Sequence, residues 1–112
     1  MAGITQERQS LADITRQEVE RYVGYSDESN LYFLADEKQL AYAVVDVPHI
    51  PRAYATEIVV MARVVGDYVI IDKDTTDKPL VDALIINAGL LREKIILAYQ
   101  GEPIPLDASK TS

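Results

Sequence analysis

Asp72, Asp74 and Asp77 stand close together at the end of an apolar run, in the order Asp72-Lys73-Asp74-Thr75-Thr76-Asp77. Two carboxylates at a strand end can share a divalent cation. A carboxylate next to a metal can also accept a phosphoryl group, because the metal offsets the charge. As a calcium loop the same stretch fails. Asp72, Asp74 and Thr76 fill the first, third and fifth places, but the sixth is Asp77 instead of Gly and the twelfth is Ala83 instead of Glu. A third reading needs no ligand: a strand end, a solvated turn and a helix cap, with Thr76 or Asp77 capping and Pro79 in the first turn.

Other reactive types are sparse. His49 is the only histidine and there is no cysteine. It sits in Val47-Pro48-His49-Ile50-Pro51-Arg52, where two prolines break a strand, and is expected to be an exposed, inert loop residue. No Ser/His/Asp or Cys/His set forms around it, and no paired-histidine metal spacing, phosphate-binding loop or dinucleotide fingerprint is present. No catalytic residue and no cofactor is therefore assigned. Any metal site would have to come from Asp72, Asp74 and Asp77. The seven tyrosines are spread along the chain and are expected to pack in a sheet rather than stack on bases.

The elements around the acidic stretch follow from pattern. Ile58 to Val65 and Tyr68 to Ile71 are apolar, largely β-branched runs separated by Gly66-Asp67, which reads as a two-residue hairpin turn. Ile58, Val60, Ala62 and Val64 should share one face, and Val59, Met61, Arg63 and Val65 the other. Both faces are mostly apolar, so a second cover is needed. The chain has too few helices to supply it. Val59, Met61, Arg63, Val65 and Tyr68 are therefore the expected interaction surface, for a homodimer or other homo-oligomer or for a tight complex with another protein.

Ahead of this hairpin, Ile4 to Val23 reads as an amphipathic helix, capped by Thr5 and stopped at Gly24. Its inner side carries Ile4, Leu11, Ile14, Thr15, Val19 and Tyr22. Tyr25 to Asn30 reads as a loop. Leu31 to Ala35 and Leu40 to Val47 read as a first hairpin turning at Asp36 to Lys38. After the acidic stretch, Leu80 to Ala88 is a helix that is apolar around most of its surface, ended by Gly89. Ile95 to Tyr99 is a last strand. The expected architecture is α+β: an N-terminal helix, an antiparallel strand meander, a second helix and a final strand, with the helices packed on one sheet face. Residues 1–103 form a single domain and residues 104–112 a flexible tail.

Composition narrows the function classes. A chain of 112 residues holds one core. Lys plus Arg is 11 against 18 Asp plus Glu, a net charge of -7. That balance opposes phosphate backbones, so no direct nucleic-acid contact is expected, and it suits a basic protein partner. The absence of cysteine fits a cytoplasmic setting. No apolar run reaches the ~20 residues needed to cross a bilayer, so no membrane role is expected.

Two family resemblances bear on these residues. Val69 to Thr76, V-I-I-D-K-D-T-T, resembles the first motif of haloacid-dehalogenase-like phosphotransferases, which implies a small metal-dependent phosphatase using Asp72 and Asp74. The context points elsewhere. That family sets the motif early in a parallel sheet, whereas here it closes an antiparallel hairpin with 40 residues remaining and no second acidic strand end.

The stretch from Arg52 to Tyr99 carries the second resemblance. Arg52-Ala53-Tyr54 leads to a long apolar strand, then Gly66-Asp67, Tyr68-Val69-Ile70-Ile71, the threonine-rich acidic loop, a helix ending in Gly89, and Glu93-Lys94-Ile95-Ile96-Leu97-Ala98-Tyr99. This is similar to the XisI-like family, small cyanobacterial proteins named as fdxN-element excision controlling factors. The resemblance implies a non-catalytic accessory factor acting by protein–protein interaction in excision of a DNA element, with a XisH-like, nuclease-fold companion. It carries over no catalytic residues. An antitoxin-like inhibitor whose acidic surface masks a nuclease belongs to the same interaction class.

Overall fold

The structure, a computed structural model, describes residues 10–105. Its elements are α1 (Leu11–Glu20), β1 (Gly24–Tyr25), β2 (Ser29–Asp36), β3 (Ala41–Pro48), β4 (Glu57–Val65), β5 (Tyr68–Asp74), α2 (Leu80–Ala88) and β6 (Ile95–Leu97). The six strands lie side by side in chain order. β1 to β5 form the expected antiparallel meander, and β6 returns parallel to β5 after α2. A parallel neighbour requires such a crossover, because a tight turn cannot reverse the chain twice. The result is an α+β domain with both helices on one face of a mixed sheet.

Local chemistry sets the turns. Val65 pairs with Tyr68, leaving Gly66 and Asp67 as the two-residue loop. Gly66 takes φ 60, the left-handed position that a hairpin turn of this length requires and glycine supplies without strain. Between β2 and β3, Asp36 Oδ1 accepts the backbone N–H groups of Lys38 and Gln39. Leu40 then takes φ 55 to enter β3.

α1 starts at Leu11, with Ser10 as its cap: Ser10 Oγ accepts the Asp13 N–H at 3.0 Å. The expected start at Ile4 and the Thr5 cap fall outside the described residues. The helix also stops earlier than Gly24, at Glu20, and Gly24 opens β1. The chain needs those intervening residues to descend to the sheet edge. Thr15, Val19 and the carboxylate-bearing Glu18 are buried. Glu18 Oε1 is matched by Asn87 Nδ2 of α2 at 3.1 Å and by Arg21 Nε at 3.2 Å, so this acid ties the two helices together.

The core lies between helices and sheet. Val19, Leu80 and Leu84 meet Tyr42, Val44, Val60, Ala62, Val69, Ile71, Ile95 and Leu97. Tyr42 stacks on Phe33 with 6.4 Å between ring centroids. Each fully buried aliphatic side chain contributes roughly 1.5–3 kcal/mol. α2 is less enclosed than its sequence suggests: Leu80 and Leu84 are sealed, whereas Ile86 is 78% exposed. Gly89, at φ 74, ends α2 as expected, with Gly89 N–H bonded to Ile85 C=O and Leu90 N–H to Leu84 C=O.

The final strand is shorter than expected, Ile95 to Leu97, and Ala98 to Gln100 form a 3₁₀ turn. The chain then folds back along the strand's outer edge. Arg92 donates to Ile95 C=O at 2.7 Å, Glu102 Oε1 accepts Leu97 N–H at 2.8 Å, and Arg92 pairs with Glu102 Oε2 at 2.8 Å. This bracket satisfies the backbone groups that another strand would otherwise claim.

Two bulges decide which face each side chain occupies. Val44 pairs with Val60 and Val45 with Ile58, so Val59 is an extra residue opposite nothing in β3. Ala62 pairs with Ile71 and Met61 with Lys73, so Asp72 is an extra residue in β5. Each bulge shifts the alternation by one residue beyond it. Ile58 therefore pairs away from the core, correcting the expectation that it shares a face with Val60, Ala62 and Val64.

Candidate functional site

The face of the sheet turned away from both helices has no cover among the described residues. Strand pairing puts Tyr32 and Leu34 of β2, Ala43 and Val45 of β3, and Ile58, Met61, Arg63 and Val65 of β4 on it. Tyr68, Ile70, Asp72 and Lys73 of β5 and Ile96 of β6 complete it. Ile70 and Ile96 are buried. Tyr32 is 50% exposed, Leu34 55% and Ile58 37%. A contiguous apolar surface of this kind commonly marks a contact site.

Of the five residues expected to form an interaction surface, Met61, Arg63, Val65 and Tyr68 lie together on this face. Val59 is the bulge residue, and its carbonyl is held by both the N–H (2.9 Å) and the hydroxyl (3.0 Å) of Thr75. Sequence alternation could not anticipate Ile58 as a member, since only the bulge puts it there. Tyr32 and Leu34 were assigned to a strand but to no face, because their neighbours are apolar on both sides.

Arg63 and Asp72 pair on this face. Arg63 Nε donates to Asp72 Oδ2 at 2.7 Å, and its second amino group to Asp72 Oδ1 at 3.2 Å. The hydrogen bonds to Asp72 push the Arg63 guanidinium further above the usual arginine range, against the opposing effect of partial burial. Lys94 lies over the Tyr68 ring, 5.5 Å from its centroid, with its ammonium on the negative π face. Beside Leu34, a shallow hollow of about 250 Å³ is floored by Ala41, Ala43 and Met61.

The three aspartates of the acidic stretch do not converge. Residues two apart in a regular strand share a face. The bulge at Asp72 breaks that rule, leaving Asp72 on the open face and sending Asp74, opposite Val60, to the helix side. Asp74 Oδ1 accepts the Thr76 N–H at 2.9 Å and its hydroxyl at 2.6 Å, and Oδ2 accepts the Leu80 N–H at 2.6 Å. It is Asp74, not Thr76 or Asp77, that caps α2, reaching over Pro79 to the first helical N–H. The Thr76 hydroxyl, whose proton goes to Asp74, also lies 2.9 Å from Lys78 C=O, and Asp77 is exposed. Lys78 C=O also accepts from the Tyr22 hydroxyl. Burial pushes that phenol's pKa up.

No group of three or more His, Asp or Glu side chains among the described residues is placed to hold a metal ion. His49 is exposed, with Nδ1 3.2 Å from Asp27 C=O and Nε2 3.3 Å from Asn30 Oδ1. A depression of about 280 Å³ lies beside it, lined by Glu28, Ile50 and Tyr54 among others. It is smaller than most small-molecule sites, which start near ~300 Å³.

The sequence model of the family described as XisI protein matches residues 1–104. The chain belongs to the XisI family. Solved structures of the same fold agree with this membership. The fdxN element excision controlling factor XisI from Anabaena variabilis superposes with a TM-score of 0.63 at 16% identity, covering 79% of this chain and 88% of that one. A XisI-like protein from Anabaena variabilis gives a TM-score of 0.61 at 16% identity, covering 90% of this chain and 88% of that one. No curated protein sequence matches it. No helix among the described residues is long and apolar enough to cross a membrane.

Proposed function

We propose that this XisI-family chain is a non-catalytic accessory factor in excision of a DNA element, working in the cytoplasm by docking a partner protein on the uncovered face of its sheet. The observation that carries the proposal is that face: apolar, contiguous and, among the described residues, free of helices, with Arg63 and Asp72 paired on it. Docking an apolar partner there removes water from hydrocarbon and buries Arg63 and Asp72 as an already formed pair, which avoids the cost of burying either ion alone. Arg63, Lys73 and Lys94 outnumber Asp36 and Asp72 on this face, although the whole chain carries a net charge of -7. The complementary partner surface is apolar with an acidic margin. The family resemblance implies a XisH-like, nuclease-fold companion, which would hold the chemistry. A role in phosphoryl transfer draws no support from the acidic stretch, whose two motif carboxylates face opposite sides of the sheet and are each engaged.

The test is capture from native lysate with the full chain as bait, followed by mass spectrometry. Wild-type bait retains a stoichiometric nuclease- or recombinase-like protein, and Met61→Glu or Val65→Glu bait loses it while keeping the wild-type circular dichroism. Equal capture by all three baits would sink the assignment of this face.

A further inference from the structure

The two edges of the sheet are treated differently. The outer edge of β6 is closed by the Arg92–Glu102 bracket. The outer edge of β2 is covered by β1 only at Asn30 and Leu31, which pair with Tyr25 and Gly24. Beyond Leu31, β2 has one neighbour, β3.

The free groups on this edge can be identified. Ser29 C=O accepts Ser26 N–H on the β1 side, and Glu28 C=O accepts His49 N–H on the β3 side. Successive residues of a strand present their backbone groups to opposite sides. Glu28, Asn30, Tyr32, Leu34 and Asp36 therefore bond towards β3, and Ser29, Leu31, Phe33 and Ala35 point outward. Leu31 is spent on Gly24. The N–H and C=O groups of Phe33 and Ala35 have no partner among the described residues. No lysine, proline or bulge guards them, the usual protections of an edge.

We propose that this edge pairs with the β2 edge of a second copy, antiparallel and centred on Leu34. The arrangement is self-complementary. With Leu34 on the two-fold axis, Phe33 of each copy lies opposite Ala35 of the other. Both residues present their backbone groups outward, so all four free groups of each edge are satisfied. Centring on Phe33 would need Leu31, which β1 already holds. Centring on Ala35 would need Glu37, which has left the strand for the turn. In the favoured register Asp36 faces Tyr32, so no like charges meet. The partner's strand ends at Asp36, short of β1. The two Leu34 side chains stack on the open face, and the pair of sheets becomes one continuous twelve-stranded sheet with both closed β6 edges outermost. The proposal does not rest on the partner-docking reading, because it uses the edge and leaves the open face free.

The experiment is sedimentation equilibrium of the full chain over a concentration series, with amide exchange by NMR. Wild type is a dimer at tens of micromolar, and the Phe33 and Ala35 amides gain protection as concentration rises. Ala35→Pro removes an outward N–H that β3 does not use, from both copies, and raises the dimer dissociation constant at least about tenfold. Leu34→Lys sets two ammonium groups across the axis and gives a monomer with unchanged circular dichroism, so the test stands if the proline variant misfolds. A monomeric wild type overturns the proposal, whether or not those amides are protected. So does a dimer that survives Leu34→Lys but dissociates with Val65→Glu, which would move the contact between copies to the open face.

Discussion

Arg63 of β4 and Asp72 of β5 are joined by two hydrogen bonds, at 2.7 and 3.2 Å, across a place where the strands are out of step. The bulge that frees Asp72 from a ladder position also gives its carboxylate the reach to meet the guanidinium side-on. The pair is partly exposed, with 36% of the Arg63 side chain and 27% of Asp72 accessible. Such a pair stabilises modestly. A double-mutant cycle of Arg63→Met and Asp72→Asn, read by urea unfolding, should give a coupling of about 1 kcal/mol, the upper end for partly exposed pairs. A coupling near zero would mean the geometry is incidental.

Asp74 holds the start of α2 by accepting the Leu80 N–H, and fixes the loop before it through two hydrogen bonds from Thr76. Asp74→Ala should cost about 1–2 kcal/mol in urea unfolding, the range of a strong helix cap. Asp77→Ala, at the exposed acid that the sequence offered beside Thr76 as a cap, should stay within about 0.5 kcal/mol of wild type. The reverse order would refute the assignment.

Glu102 gives the fold a dependence on pH. Its carboxylate is held below the usual range first by the Leu97 N–H and then by Arg92. A carboxylate whose folded pKa lies below its unfolded one stabilises the fold above the unfolded value. That stability is lost as pH falls through the folded value. The melting temperature of wild type should therefore exceed that of Glu102→Gln at neutral pH, and the gap should close on acidification through the carboxylate range. A gap that is constant with pH would mean that the charge is not involved.

The two sides of α2 should respond differently. Leu84 is fully buried, and Leu84→Ala should cost about 2–5 kcal/mol. Ile86→Lys, on the exposed side of the same helix, should change stability by no more than about 0.5 kcal/mol by thermal melting. A large loss at Ile86 would mean that this side is covered.

Much of the fold was legible because local signals agreed. The β-branched runs around Gly66-Asp67 fixed the hairpin, and Leu80 to Ala88 with Gly89 fixed α2 to the residue. The XisI resemblance was legible in the same stretch. What could not be read was register. Nothing in the side chains of Val59 or Asp72 announces a bulge, since the extra residue is defined by the partner strand. That information decides the candidate site. It moves Ile58 onto the open face, and it separates the two acids of the D-x-D stretch, which strict alternation would leave side by side. The bracket of Arg92 and Glu102 was equally hidden, being ten residues apart with meaning only once β6 has an outer edge.

The position of β6 also orders the making of the protein. Strands β1 to β5 can join one hairpin at a time, each contact closing a short loop at little entropic cost. β6 cannot join until α2 has crossed the sheet, and its edge is not sealed until Glu102 has been synthesised. Until then a nascent chain carries β5 with a bare side, rich in Val69, Ile70 and Ile71. The sheet is therefore completed last at the edge that Glu102 and Arg92 close.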